Sequence, residues 1–187
     1  MVNRWGRSIA VVGMMGAGKS SVGRCLHRRT GLALHDTDEI VATKFGMSIS
    51  EIFARHGEKK FREAETAALR RMRPGERKII ITGGGVVLHK ENIGILKKQA
   101  VIVWLDGDEG TLCARAFRQQ NRPLLRTKNP RSAFSQILGA RRPLYVNLAD
   151  MRVDTSALTD EEVAVAILAK LEKMNLNPES PLPPKES

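Results

Sequence analysis

Residues 13 to 20 read Gly-Met-Met-Gly-Ala-Gly-Lys-Ser, and few stretches of this length limit a fold so tightly. They match Gly-x-x-x-x-Gly-Lys-Ser, a loop whose backbone N–H groups turn inward around a chain of phosphates. The loop works only between a buried strand and a helix N-terminus, whose dipole adds positive potential. Both flanks are present. Ser8-Ile9-Ala10-Val11-Val12 is a short apolar run suited to a buried strand, and Ser21 to Thr30 reads as a helix ended by Gly31. In that setting Gly13, Gly16 and Gly18 keep Cβ atoms out of the cradle, with Met14, Met15, Ala17 and Ser21 completing it. Lys19 reaches the outer phosphates and the Ser20 hydroxyl is a ligand for Mg²⁺.

Strand and helix patterns then alternate, which argues an α/β fold with a parallel sheet. Leu32 to His35, Lys78 to Thr82, Val101 to Leu105 and Met151 to Asp154 are the further strands. Helices are expected over Glu39 to Phe45, from the Ser-x-x-Glu capping box at Ser48 to Glu51, and over Gly57 to Met72 before Pro74-Gly75. More follow over Lys90 to Lys98, Gly110 to Gln119, Arg131 to Leu148 and Asp160 to Met174. Pro143 is expected to kink or divide the penultimate helix. Asn121 to Pro130 is polar, basic and proline-bearing, and reads as a mobile loop. Asn175 to Ser187 holds four prolines without apolar periodicity, and reads as a disordered tail.

The 187 residues suffice for one domain. No run of eighteen apolar residues suggests a membrane span, and Met1 to Arg7 lacks the apolar core of a signal peptide. Cys25 and Cys113, without metal-ligand spacing, fit a reducing cytoplasm; Cys25 reads as core filler. The formal net charge of +11 fits nucleic acid or small anions. Aromatics are only 4% of the chain and no long basic run occurs, so base-stacking platforms are few and small anionic ligands are favoured.

Ligands of open α/β sheets sit beyond the carboxyl ends of the strands. Three polar features fall there: the phosphate loop, Asp36/Asp38 and Gly83-Gly84-Gly85. If residues 36 to 38 stay extended, the two carboxylates point the same way, one toward Mg²⁺ and one toward an acceptor hydroxyl. Alternatively Thr37 or Asp38 caps the next helix. Arg62 and Glu65 share a helix face. By spacing alone they are a solvated ion pair contributing about 0.3 kcal/mol; the alternative is a guanidinium held by an acid to fork onto a substrate carboxylate. Three glycines in a row exceed what a turn requires and mark close approach to the backbone. Arg122 is either a loop charge or a lid residue closing over phosphates, and Arg141-Arg142 either a surface charge run or part of a site. His27, His35, His56 and His89 show no metal or nucleophile spacing.

Taken together and in order, these segments resemble the shikimate kinase family. The carriers are Gly13 to Gly23, Asp36-Thr37-Asp38, Phe61-Arg62-Glu63-Ala64-Glu65, Thr82 to Gly85, Asn121-Arg122-Pro123-Leu124-Leu125 and Arg141-Arg142-Pro143-Leu144-Tyr145, within a span from about Ile9 to about Leu171. The resemblance implies a three-layer P-loop NTPase fold of the nucleoside-monophosphate-kinase type. It implies a five-stranded parallel sheet, a small substrate-binding lobe over about 36–65 and a mobile lid over about 119–131, in one kinase domain spanning 1–174. The implied reaction moves the γ-phosphoryl of ATP to the 3-hydroxyl of shikimate, in the chorismate pathway, with Mg²⁺. By resemblance Lys19 and Ser20 handle phosphate and metal, Asp36 holds Mg²⁺ through water, and Asp38 binds shikimate hydroxyls as the proposed base. Arg62 and Arg141 grip the shikimate carboxylate, with Glu65 orienting Arg62. Gly83, Gly84 and Gly85 line the substrate site, Arg122 is the lid arginine, Arg115 lies on the nucleotide side, and Asp154 to Leu158 borders the adenine. A monomer without nucleic-acid or membrane partners is expected. The rival expectations are a gluconate or other small-metabolite kinase, a nucleic-acid-stimulated ATPase, and a nucleotide binder without turnover.

Overall fold

A computed structural model describes residues 7–73, 75–118 and 122–176. Expectations for the first six residues, Pro74, residues 119–121 of the lid and the tail from 177 onward lie outside the described residues.

Five strands form one sheet: β1 (Ser8–Gly13), β2 (Ala33–Asp36), β3 (Lys78–Ile81), β4 (Ala100–Asp106) and β5 (Met151–Asp154), in the order β2-β3-β1-β4-β5. All four pairings are parallel. The residues dictate that interior. Every residue of β1 and β3 is buried, which requires cover on both faces and so three layers. The edge strand β5 instead alternates buried and exposed.

The cover comes from α1 (Lys19–Thr30), α2 (Thr37–Phe45), α3 (Ile49–Arg70), α4 (Lys90–Gln99), α5 (Glu109–Arg118), α6 (Pro130–Leu148) and α7 (Asp160–Leu176). Helix α1 packs with α7 and β3, and α4 packs with α3 and β4. Val22 and Leu26 of α1, Ile167 and Leu171 of α7, Leu96 of α4 and Phe134 of α6 join the strand residues in one core. A second, smaller cluster of Val41, Ile52, Phe61 and Ala64 belongs to α2 and α3 alone. No helix of the described residues is long and apolar enough to cross a membrane.

Several local outcomes bear on the sequence expectations. Residues 36 to 38 do not stay extended: Asp36 itself caps α2, accepting from the N–H groups of Asp38 at 2.9 Å and Glu39 at 3.4 Å. The cap is therefore neither Thr37 nor Asp38, and Asp38 sits in the first helical turn. The two helices expected around Gly57 are both present within the α3 span and meet in a kink at that residue, whose non-helical φ of 77° and ψ of 167° are left to glycine. Pro143 does not divide α6, which continues from Pro130 to Leu148. Pro143 and Gly139, whose carbonyl loses its helical donor, are both exposed, so water can satisfy that carbonyl. Residues 175 and 176, expected in the tail, extend α7, and the expected loop after residue 121 contains a 3₁₀ turn over Pro123–Leu125.

Candidate active site

The sheet order puts the loops after β1 and β3 side by side. In the first loop Gly18 adopts φ 82° as the N-cap of α1, which leaves the first N–H groups of the helix open for a ligand. Gly13 and Gly16 press against the carbonyls of Leu105 and Leu112, where any Cβ would collide. Met14 and Ala17 turn their side chains into the core. Their contribution and that of Gly13 is confined to the backbone, while Met15, Gly16, Gly18, Lys19, Ser20 and Ser21 line a cavity of about 660 Å³.

Lys19 donates to the Met14 carbonyl at 3.0 Å. Burial and the Arg122 charge push its ammonium down to about 8, against the pull of Asp38 and Asp36. The Ser20 hydroxyl donates to Asp36 Oδ2 at 3.3 Å, while Asp36 Oδ1 is used by the helix cap. One hydroxyl and one carboxylate oxygen make a hard-oxygen pair that suits Mg²⁺. Among the described residues no group of three or more His, Cys, Asp or Glu is placed to hold a metal ion. A cation here would therefore draw most of its ligands from phosphate and water, as Mg²⁺ does.

Arg115 and Arg122 line the same cavity, as does Asp160. Arg115 donates to the Thr155 carbonyl at 3.0 Å and to that of Ser156 at 3.4 Å. Of the segment expected beside adenine, only Leu158 lines the cavity; Thr155 and Ser156 face Arg115 instead.

A second cavity, about 270 Å³, opens beside the first. Its polar wall is Asp38, Arg62, Arg141 and the three glycines; Ile49, Phe53, Phe61 and Leu124 form the apolar side. The bend at Gly57 aims the second half of α3 at this cavity. Arg62 and Glu65 are 7% and 0% exposed, so the solvated reading of their spacing is wrong. Arg62 Nη1 donates to Glu65 at 3.1 Å, and its Nη2 and Nε donate to Glu58 at 2.9 and 3.2 Å. Arg141, 6% exposed, makes no ion pair among the described residues; burial and the neighbouring Arg62 charge disfavour its protonated form. A buried guanidinium in that position calls for an anion.

The glycine tract is explained by what crowds it. A Cβ on Gly83 would lie 2.5 Å from Glu65 Oε1 and 3.0 Å from Asp38 Oδ1, and one on Gly85 would strike the Arg62 guanidinium. The close approach is thus by the protein's own charged groups. Asp38 Oδ1 and Glu65 Oε1 are both buried without a hydrogen-bond partner among the described residues. Burial and the Glu65 and Asp36 charges push Asp38 up to about 6, and burial pushes Glu65 up as well despite Arg62.

Met15, Asp38, Gly84 and Arg122 border both cavities. The structure thereby brings together the predicted residues of loop, lid and acceptor side at one seam. Sequence reading passed over Glu58, although its i,i+4 spacing to Arg62 is a pairing signal. It also passed over Arg24, Arg118 and Thr159 on the nucleotide side, which carry no local signature.

Comparison with known proteins gives the same answer. The family model described as shikimate kinase matches residues 15–172. A shikimate kinase of Thermodesulfovibrio yellowstonii is 41% identical over 90% of this chain and 97% of its own. One of Symbiobacterium thermophilum is 38% identical over 89% and 97%. Among solved structures, a shikimate kinase from Acinetobacter baumannii in complex with shikimate superposes with a TM-score of 0.86 at 33% identity, covering 91% of this chain and 95% of that one. A gluconokinase from Sinorhizobium meliloti, at 21% identity and a TM-score of 0.62 over 96% of this chain and all of its own, shares the fold. With the loop, the paired cavities and these relatives in agreement, the chain belongs to the shikimate kinase family.

Proposed function

We propose that this chain transfers the γ-phosphoryl of ATP to the 3-hydroxyl of shikimate, giving shikimate 3-phosphate in the chorismate pathway. The observation that carries the reading is the seam: an anion-binding cavity and a cavity with two buried arginines share Asp38, Gly84 and Arg122. Shikimate matches the second cavity by chemistry. Its carboxylate answers Arg62 and Arg141, its hydroxyls answer the unpartnered oxygen of Asp38, and its ring answers Phe53 and Phe61.

In the transfer, the acceptor oxygen bonds to the γ-phosphorus as the bond from that phosphorus to the β,γ-bridging oxygen breaks. The hydroxyl proton passes to Asp38. Burial holds that carboxyl near 6, so it is ionised and basic enough to accept the proton around neutral pH. The transition state is loose, and catalysis is chiefly positioning and charge stabilisation. Lys19 and Arg122 supply positive charge at the moving group, and Arg62 and Arg141 orient the acceptor. Mg²⁺ bound with the nucleotide would neutralise phosphate charge, with Ser20 holding it and Asp36 acting through water. The nucleotide's base would lie toward Arg115 and Leu158. We assign one kinase domain over 1–174, acting as a monomer in the cytoplasm without nucleic acid.

A coupled ADP-release assay with shikimate, gluconate and nucleoside monophosphates side by side tests the reading. Turnover with shikimate alone is expected; release driven by gluconate, by a nucleotide or by added DNA would overturn it.

A further inference from the structure

The chain has one tyrosine, Tyr145, and it is fully buried. It follows Arg141 by one helical turn, so the two side chains share a face of α6. Its hydroxyl donates to the Gly84 carbonyl at 2.5 Å, on the strip of wall that both cavities use. Arg141 Nη1 and the Tyr145 hydroxyl each stand 3.6 Å from the point where a Cβ on Gly84 would sit. Behind the hydroxyl the ring stacks on Trp104 of β4, with centroids 6.0 Å apart and planes at 18°. Trp104 in turn carries the Arg152 guanidinium at 5.4 Å, which pairs with the buried Asp106 at 2.9 Å.

The ring is thus pegged between sheet and helix, and phenylalanine would fill the same volume. A buried hydroxyl costs free energy unless it is bonded, and this one is spent on the site wall. Burial also pushes the phenol's pKa up while the Arg141 charge pulls against it, as expected for a neutral donor beside that guanidinium.

We propose that Tyr145 is a positioning residue for phosphoryl transfer: its hydroxyl fixes the Gly84 carbonyl and the Arg141 guanidinium, and so sets the acceptor's carboxylate anchor relative to the phosphate side. The proposal rests on the shikimate reading of the acceptor cavity. It acts through Arg141 and Gly84, without contact to the reacting atoms.

The test is a cycle of Tyr145→Phe, Arg141→Lys and the double variant in the full chain, with KM for shikimate, KM for ATP, kcat and thermal midpoint measured for each. Tyr145→Phe should raise the shikimate KM about tenfold, the scale of one lost hydrogen bond to a charged site, with the ATP KM within twofold of wild type. In the Arg141→Lys background it should add less than twofold. A shikimate KM within twofold of wild type, or penalties that multiply in the double variant, would overturn the proposal. A second measurement does not depend on the variant folding. With 3-fluorotyrosine in place of tyrosine, the single ¹⁹F resonance should shift saturably with shikimate. A resonance unmoved by saturating shikimate would also overturn it. Wild type that fails to bind shikimate in the same titration would instead reject the acceptor reading itself.

Discussion

Asp38 concentrates the chemistry at the scale of single residues. Burial with the Glu65 and Asp36 charges holds its carboxyl up near 6, against the pull of Lys19 and Arg62. Replacing Asp38 with asparagine keeps the shape and removes the proposed base, so kcat should fall about 10²–10⁴-fold in steady-state assays. The shift also fixes the pH dependence. Below about 6 the ligand-free carboxyl is protonated, so kcat/KM for shikimate should fall as pH drops through that value, and the Asp38→Asn variant should lose that limb. Stability has the opposite sign. A carboxyl raised from 3.8 to about 6 on folding favours the folded state below 3.8 and loses that contribution as pH rises through 6. Urea titrations should therefore find Asp38→Asn more stable than wild type at pH 7, with the gap closing as pH falls toward 4. Arg122 borders both cavities with Asp38, and its charge lowers the pKa of Lys19; on the proposed reading it serves the transition state more than binding. Arg122→Ala should lower kcat by orders of magnitude, up to about 10³, and leave the shikimate dissociation constant within a few-fold. Much of this site was legible in the chain because loop, aspartate and arginine segments carry their own spacing. Burial was not. The Arg62–Glu65 spacing is common to solvated pairs, and only the fold around Gly83 and Gly85 makes it a buried clamp.

Among the elements, α3 does most to shape the acceptor cavity. Its first half begins at a capping box, Ser48 with Glu51, and its second half carries Phe61, Arg62 and Glu65. Between them Gly57 holds φ 77° and ψ 167°, a region costly for any other residue. Nothing lies within 4 Å of where its Cβ would be, so an added methyl is strained by backbone alone. Gly57→Ala should cost about 1–3 kcal/mol in denaturant melts and raise the shikimate KM more than the ATP KM. Periodicity and capping residues revealed nearly every strand and helix, because β-branched runs and a Ser-x-x-Glu box act locally. The misreadings were tertiary. Asp36 caps α2 because β2 ends where the helix begins, and Pro143 is tolerated because its face of α6 meets water. Neither fact is a property of the local string.

For the whole molecule, the parallel order β2-β3-β1-β4-β5 is what unites these parts. It sets the loops after β1 and β3 next to each other, so the glycine-loop cavity and the cavity with two buried arginines open onto one seam. The net charge of +11 fits anionic ligands on this account, and sedimentation should give one monomeric species whose ATP turnover is unchanged by DNA or RNA. The most direct test is a crystal structure with shikimate and a non-hydrolysable ATP analogue bound together. The account predicts the acceptor's 3-hydroxyl oxygen about 3–3.5 Å from the γ-phosphorus, between Asp38 and Arg122, with the carboxylate on Arg62 and Arg141. Shikimate bound away from the two arginines, or protein standing between the two ligands, would contradict it.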